Sequence, residues 1–200
     1  MASMIQRLPA LLLDVMGTLV HDPFFEEVPA FFGLTQEELY EVKHPTNWLG
    51  FEQGVLDERT LLNGYFADGR DFDHVAFRTM MSDSYRWLDG MDSWMAKLHG
   101  AGFSLHLFSN YSSWYQLIEE RLQLSQWASW SFVSCETGLR KPTHAAFHHA
   151  SETLGLPPAD CLFVDDRAKN TDAARELGMD TICFESAQQF EEEISRRGLL

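Results

Sequence analysis

The sequence predicts an α/β protein, a doubly wound, mainly parallel sheet with a small helical segment inserted after the first strand. Three observations carry that prediction. Short, near-continuous apolar runs alternate with helical stretches, as in a sheet covered on both faces. Residues 24–88 lack a good strand run but place apolar residues at helical spacing. Carboxylates, a serine and an asparagine stand at the carboxyl ends of the apolar runs, where open parallel sheets bind ligands.

The first strand is read at residues 10–14 (ALLLD). The inserted helices follow, with start signals at Thr35, Asp57 and Asp71; Thr35 and Glu38 form a capping-box pattern. The segment 88–91 (LDGM) is the return hinge, which divides the chain into a core of residues 1–22 and 89–200 and a helical cap of residues 23–88. Further strands are expected at 103–110, 160–166 and 181–185, with a weaker one at 130–135. Helices are expected at 112–122, 143–154, 169–177 and 187–197. Gly155 and Gly178 serve as C-cap signals, and Pro142 suits a first helical turn.

Two hundred residues suffice for a real core. Fifteen Lys and Arg against thirty Asp and Glu leave a net charge of −15, which argues against nucleic acid or anionic membrane as partners. An anionic substrate then needs a local cation to receive it. Three widely spaced cysteines without a CxxC pair read as reduced core thiols. No apolar run reaches membrane-spanning length. The opening MASM lacks a signal-peptide core.

Four clusters carry chemistry. Asp14 ends the first strand, with Gly17 and Thr18 behind it. Ser109 and Asn110 end the second. Lys141 precedes a helix in GLRKP. Asp165 and Asp166 stand in VDDRAKN. Three carboxylates at one sheet edge repel one another unless a cation intervenes, and a hard oxygen-seeking ion such as Mg²⁺ is the natural one. With a lysine and a hydroxyl beside it, such a site suits a phosphoryl group. His144 and His148 lie four apart without an acidic or thiol partner at useful spacing, and read as a polar helix face. Trp48, Phe51 and Phe66 are expected in the core of the helical segment, whereas Tyr111 or Trp114 could face a flat ring.

These clusters, in this order, resemble the motifs of the haloacid dehalogenase-like (HAD) hydrolases. DVMGT matches the family's D-x-D-x-T except at Met16, LHLFSN its second motif, Lys141 its third and FVDDRAKN its fourth. The helical segment sits where the family's C1 cap does. DPFFEEVPAFFG, KHPTNW, FEQG and DGRDFD are similar to a plastid branch that includes flavin mononucleotide (FMN) hydrolases. The resemblance implies a phosphatase of a small phosphorylated metabolite, FMN among the candidates. It would work as monomer or homodimer in the chloroplast stroma, its targeting peptide absent from this chain. It implies Asp14 as nucleophile and Ser109 and Lys141 as catalytic holders of the phosphoryl oxygens. Thr18 and Asn110 would be substrate-binding. Mg²⁺ would be held by Asp14, the Met16 carbonyl, Asp165 and Asp166, with Asn170 in support.

Met16 replaces the acid that protonates the leaving oxygen in related phosphatases, a function worth roughly 10²–10⁴-fold in rate. His21 and Asp22 are the nearby substitutes. Two rivals remain at this stage. One is a catalytically weak binding or assembly protein. The other is a dehalogenase or phosphonate-cleaving enzyme, for which Lys43 is the only lysine in the inserted segment.

Overall fold

The computed structural model describes residues 8–200; the expectations for the opening residues of the core segment lie outside it. Five parallel strands form one sheet in the order β3-β2-β1-β4-β5. They are β1 (Ala10–Leu13), β2 (Leu105–Ser109), β3 (Ser129–Val133), β4 (Cys161–Asp165) and β5 (Asp180–Cys183). The central β1 pairs Leu11 with Leu105 on one side and Leu12 with Phe163 on the other. The apolar runs are buried because both faces are covered. Leu12, Phe108, Phe147 and Phe163 pack on one face, and Leu11, Leu13, Leu107 and Val164 on the other.

Between β1 and β2 come α1 (Glu27–Phe32), α2 (Gln36–Val42), α3 (Asn47–Glu52), α4 (Glu58–Asn63), α5 (His74–Ser84) and α6 (Met91–Gly100). After β2 follow α7 (Tyr115–Leu122), α8 (Ser134–Thr137), α9 (His144–Leu154), α10 (Ala168–Glu176) and α11 (Ala187–Arg196). The Thr35–Glu38 capping box is formed in full, with Glu38 N–H donating to Thr35 Oγ1 and Thr35 N–H to Glu38 Oε2. Asp57 caps α4 by accepting from Thr60 N–H.

Several boundaries differ from the sequence expectation for local reasons. Asp73, not Asp71, caps α5; the Asp71 carboxylate accepts from its neighbour Phe72 instead. Ser112 closes a turn onto Trp114, so α7 starts only at Tyr115. Pro142 follows a cis peptide bond and precedes the N-cap Thr143, outside the first turn of α9. Helix α6 had no capping signal in the sequence, because its N-cap is Gly90 with φ +81.

The two chain crossings at the base of the insertion lie side by side. His21 N–H donates to Arg86 O and Leu88 N–H to Leu19 O, both at 2.9 Å. Above that base, Leu39, Phe51, Leu61 and Phe77 join the same apolar cluster as Leu11 and Leu107. Ser134 Oγ donates to Glu52 O, and Trp114 Nε1 to Glu58. No helix among the described residues is long and apolar enough to cross a membrane.

Gly54 seats the insertion on the core. Its φ is +72, and a Cβ there would stand 2.3 Å from Cys135 O. Gly69 shares that φ but has nothing within 4 Å of such a Cβ. Gly54→Ala therefore combines left-handed strain with a backbone clash and costs about 2–4 kcal/mol, whereas Gly69→Ala costs about 1–2 kcal/mol. Urea unfolding of the two variants checks the difference.

Candidate active site

Asp14 follows β1 directly, and Ser109 and Asp165 end β2 and β4, so the topology alone brings them to one sheet edge. The side chain that organises them is Lys141. It is 2% exposed, and its Nζ donates to Asp14 Oδ1 at 2.7 Å, Asp165 Oδ2 at 2.7 Å and Phe108 O at 2.5 Å. Burial alone would lower the Lys141 pKa, but Asp14 and Asp165 more than offset this, so the pKa is raised and the ammonium stays charged. Burial, with Asp165 and Asp166 nearby, pushes the Asp14 carboxyl up to about 7 against the pull of Lys141. Burial and Asp165 likewise raise Asp166.

The remaining bonds orient these groups. Thr18 Oγ1 donates to Asp14 Oδ2 at 3.2 Å and accepts from Asp166 N–H at 3.1 Å, tying the two acidic segments together. Asn170 Nδ2 donates to both oxygens of Asp165 at 2.9 and 3.0 Å. Asn110 accepts from Lys141 N–H and donates to Lys141 O, both at 2.8 Å, and so spends its amide on holding the lysine backbone. The sequence suggested a substrate contact for Asn110, and the residue both lines the cleft and positions Lys141.

The site fits a divalent cation. Oxygens of Asp14, Asp165 and Asp166 lie within 4.8 Å of one another. Unit charges about 4 Å apart repel by roughly 4 kcal/mol at an effective dielectric of 20, so one lysine among three carboxylates leaves negative charge to be met. Buried Asn170 Oδ1 and Ser109 Oγ have no hydrogen-bond partner among the described residues. Gly17, at φ +83, leaves the space beside Asp166; a Cβ there would lie 2.7 Å from Asp166 Oδ2.

These groups open into a cleft of about 680 Å³ between the sheet edge and the helical insertion. The core contributes Asp14, Met16, Asn110, Tyr111, Arg140, Lys141, Asp166, Arg167, Lys169 and Asn170, and the insertion side contributes Asp22, Phe24, Phe25, Tyr40, Lys43, Trp48 and Glu52. Five of the molecule's fifteen basic residues thus face this one cleft. Arg140 Nε donates to the buried Glu52 at 2.7 Å across the seam.

Of the two substitutes for the missing acid, His21 is engaged by Glu27 at 2.8 Å and does not line the cleft. Asp22 does line it, and burial raises its pKa although the Phe24 N–H bond opposes the rise. Tyr111 reaches the cleft, its hydroxyl paired with Tyr85 at 2.8 Å. Trp114 is buried in the seam instead, as are Phe51 and Phe66 within the insertion, while Trp48 turns out to be a cleft wall. His144 pairs with Glu176, and neither it nor His148 joins a possible metal cluster among the described residues. Arg140, Arg167, Lys169, Phe25 and Tyr40 were not singled out by sequence reasoning. Arg140, Arg167 and Lys169, each beside a motif residue, had a local signal.

Comparisons with known proteins bear on family and fold. Residues 8–178 match the family model described as haloacid dehalogenase-like hydrolase. The chloroplastic flavin mononucleotide hydrolase 1 of Arabidopsis thaliana is 44% identical over 194 residues, covering 97% of this chain and 79% of that protein. Among solved structures, a HAD family enzyme from Bacteroides thetaiotaomicron in complex with magnesium and inorganic phosphate superposes with a TM-score of 0.70. It is 19% identical and covers 90% of this chain and 96% of its own. A HAD-like family hydrolase from Porphyromonas gingivalis gives a TM-score of 0.76 at 21% identity, covering 95% of this chain and 97% of its own.

Removing the Lys141 ammonium leaves Asp14 and Asp165 buried without a cation. Lys141→Met is expected to destabilise the metal-free protein by about 3–5 kcal/mol. Added Mg²⁺ should then raise the melting temperature of Lys141→Met more than that of the wild type. Thermal unfolding with chelator and with Mg²⁺ measures both.

Proposed function

The chain belongs to the haloacid dehalogenase-like hydrolases, and from that premise we propose that it is a Mg²⁺-dependent phosphatase that cleaves FMN to riboflavin and phosphate through Asp14. It is an enzyme of the phosphoric monoester hydrolase class. The observation that carries the finer reading is the Asp14 carboxylate itself. One oxygen is held by Lys141 and the other by Thr18, at a cleft whose far wall is aromatic. The flavin name of the Arabidopsis relative and its chloroplastic designation support the substrate and a stromal location.

In this reading an oxygen of Asp14 attacks phosphorus, the bond to the ribityl oxygen breaks, and an aspartyl-phosphate forms. Water then cleaves that acyl phosphate and frees Asp14. Lys141 offsets charge on the carboxylate and would reach a phosphoryl oxygen only by giving up one of its three present acceptors. The Ser109 hydroxyl, buried without a partner at the end of β2, would have to turn toward the cleft to hold another. Asp14, Asp166 and the Met16 carbonyl would hold Mg²⁺, with Asp165 adjacent and Asn170 offering its unpartnered oxygen. Bound there, Mg²⁺ neutralises charge that builds on the phosphoryl oxygens.

Met16 cannot supply a proton, and Asp22 is the group suited to do so. Its carboxyl lines the cleft, and burial favours the protonated form that a general acid requires. A primary alkoxide needs that proton more than an aryl oxide does. The adjacent carboxylates Asp165 and Asp166 weigh against the dehalogenase reading, which needs no metal.

Phosphate release from FMN is expected to require Mg²⁺, to stop with chelator and to be absent in Asp14→Asn. Asp22→Asn should lower FMN turnover by about 10²-fold and aryl phosphate turnover by less than about tenfold. Malachite-green assays with FMN, a sugar phosphate and 4-nitrophenyl phosphate measure this. No release above the Asp14→Asn background on any of them would overturn the phosphatase, and equal losses on both ester types would remove Asp22 from the chemistry.

A further inference from the structure

The wall of the cleft opposite the sheet carries a feature that phosphoryl chemistry does not use. Lys43 is in none of the ion pairs found among the described residues, yet it is half-buried in the cleft. Its Nζ stands 5.0 Å from the Tyr40 ring centroid and 5.4 Å from that of Phe24. Phe24 contacts Phe25 at 5.6 Å, Tyr40 at 5.7 Å and Trp48 at 6.5 Å between centroids. Phe25 and Tyr40 are 51% and 53% exposed, large rings left open at the mouth of a polar site.

The backbone beneath Lys43 is fixed. Lys43 bridges Phe66, His44 N–H donates to Tyr65 O at 2.7 Å, and Ala67 N–H to Val42 O at 2.9 Å. A cation–π contact offsets part of the cost of partial burial, but it satisfies none of the three ammonium donors with an oxygen. A preorganised cation on an aromatic shelf suits a flat ring that stacks on the shelf and turns an acceptor edge toward the ammonium.

We propose that Lys43 is the specificity-determining residue of the cleft, binding the carbonyl-bearing, electron-rich edge of a planar heteroaromatic ring while the phosphoryl group lies at Asp14. The substrate class is a ring-bearing phosphomonoester whose ring edge presents adjacent carbonyl and imine acceptors, as the pyrimidinedione edge of FMN does. The proposal rests on the phosphatase reading above and adds the ring end of the substrate to it. Lys43 acts in binding and is no Schiff-base nucleophile: it loses and gains no bond during turnover. Partial burial, which lowers its pKa, makes an oxygen ligand more valuable to it than solvent alone would.

The test titrates riboflavin, which has the ring and no phosphate, into Asp14→Asn protein with and without Lys43→Met, read by flavin fluorescence. It also compares KM for FMN with KM for 4-nitrophenyl phosphate in the single Lys43 variants. Lys43→Met should weaken riboflavin binding about tenfold or more, and raise KM for FMN at least about tenfold more than KM for the aryl ester. Lys43→Arg, which keeps a charged donor, should recover part of both losses and guards against a merely misfolded methionine variant. Equal riboflavin binding with and without Lys43, while FMN is still hydrolysed, would overturn the proposal and leave the phosphatase standing. A wild type that cleaves the aryl ester but neither cleaves FMN nor binds riboflavin would overturn the flavin reading and this proposal together.

Discussion

A buried ammonium between two buried carboxylates is the interaction on which the site depends. Lys141 reaches the sheet edge from the loop before α9 and meets groups from β1, β2 and β4 at once. Without it, the parallel topology would place carboxylates together with nothing to hold them apart. A buried pair of this kind contributes little net stability but makes loss of either partner costly. It also fixes which Asp14 oxygen faces the lysine and leaves the other to Thr18. Asn110 and Asn170 extend the arrangement outward, the first by clamping the Lys141 backbone and the second by orienting Asp165.

The same arrangement explains how a methionine is tolerated in the acid's position. Nothing that holds Lys141, Asp14 or Asp165 passes through the Met16 side chain. A thioether there offers no proton, and the electrostatic frame stays in place without it. The carboxyl that faces the cleft in its stead, Asp22, belongs to the segment that leads into the helical insertion. In the proposed reading, proton delivery and ring recognition lie on the same side of the cleft, and phosphoryl recognition at the sheet edge.

The sheet edge was legible in the sequence because its chemistry is local. An apolar run that stops at a polar side chain announces both the strand and the ligand-binding end, and this put Asp14, Ser109 and Asp165 at one sheet edge without any tertiary information. The insertion was legible only as helical. Thr35 and Asp57 announced their helices by side-chain caps, while α6 began on a glycine and α1 on Glu26 without a capping bond, so neither left a signal. Asp71 and Asp73 offer the same residue two apart, and only the folded chain shows which one takes the helix donor. The aromatic shelf and the Arg140–Glu52 pair join residues far apart in sequence, which periodicity cannot see.

The continuity of the apolar cluster across the seam has a mechanical consequence. Swinging the insertion away as a rigid lid would strip Phe51 and Trp114 of each other, now 5.4 Å apart edge to face, and break the Trp114–Glu58 and Ser134–Glu52 bonds. Insertion and sheet thus share one apolar core, and opening the cleft by rigid-body rotation would cost that packing. The exposed rings that line the cleft, Phe25 and Tyr40, can change rotamer on the picosecond-to-nanosecond scale with no such loss.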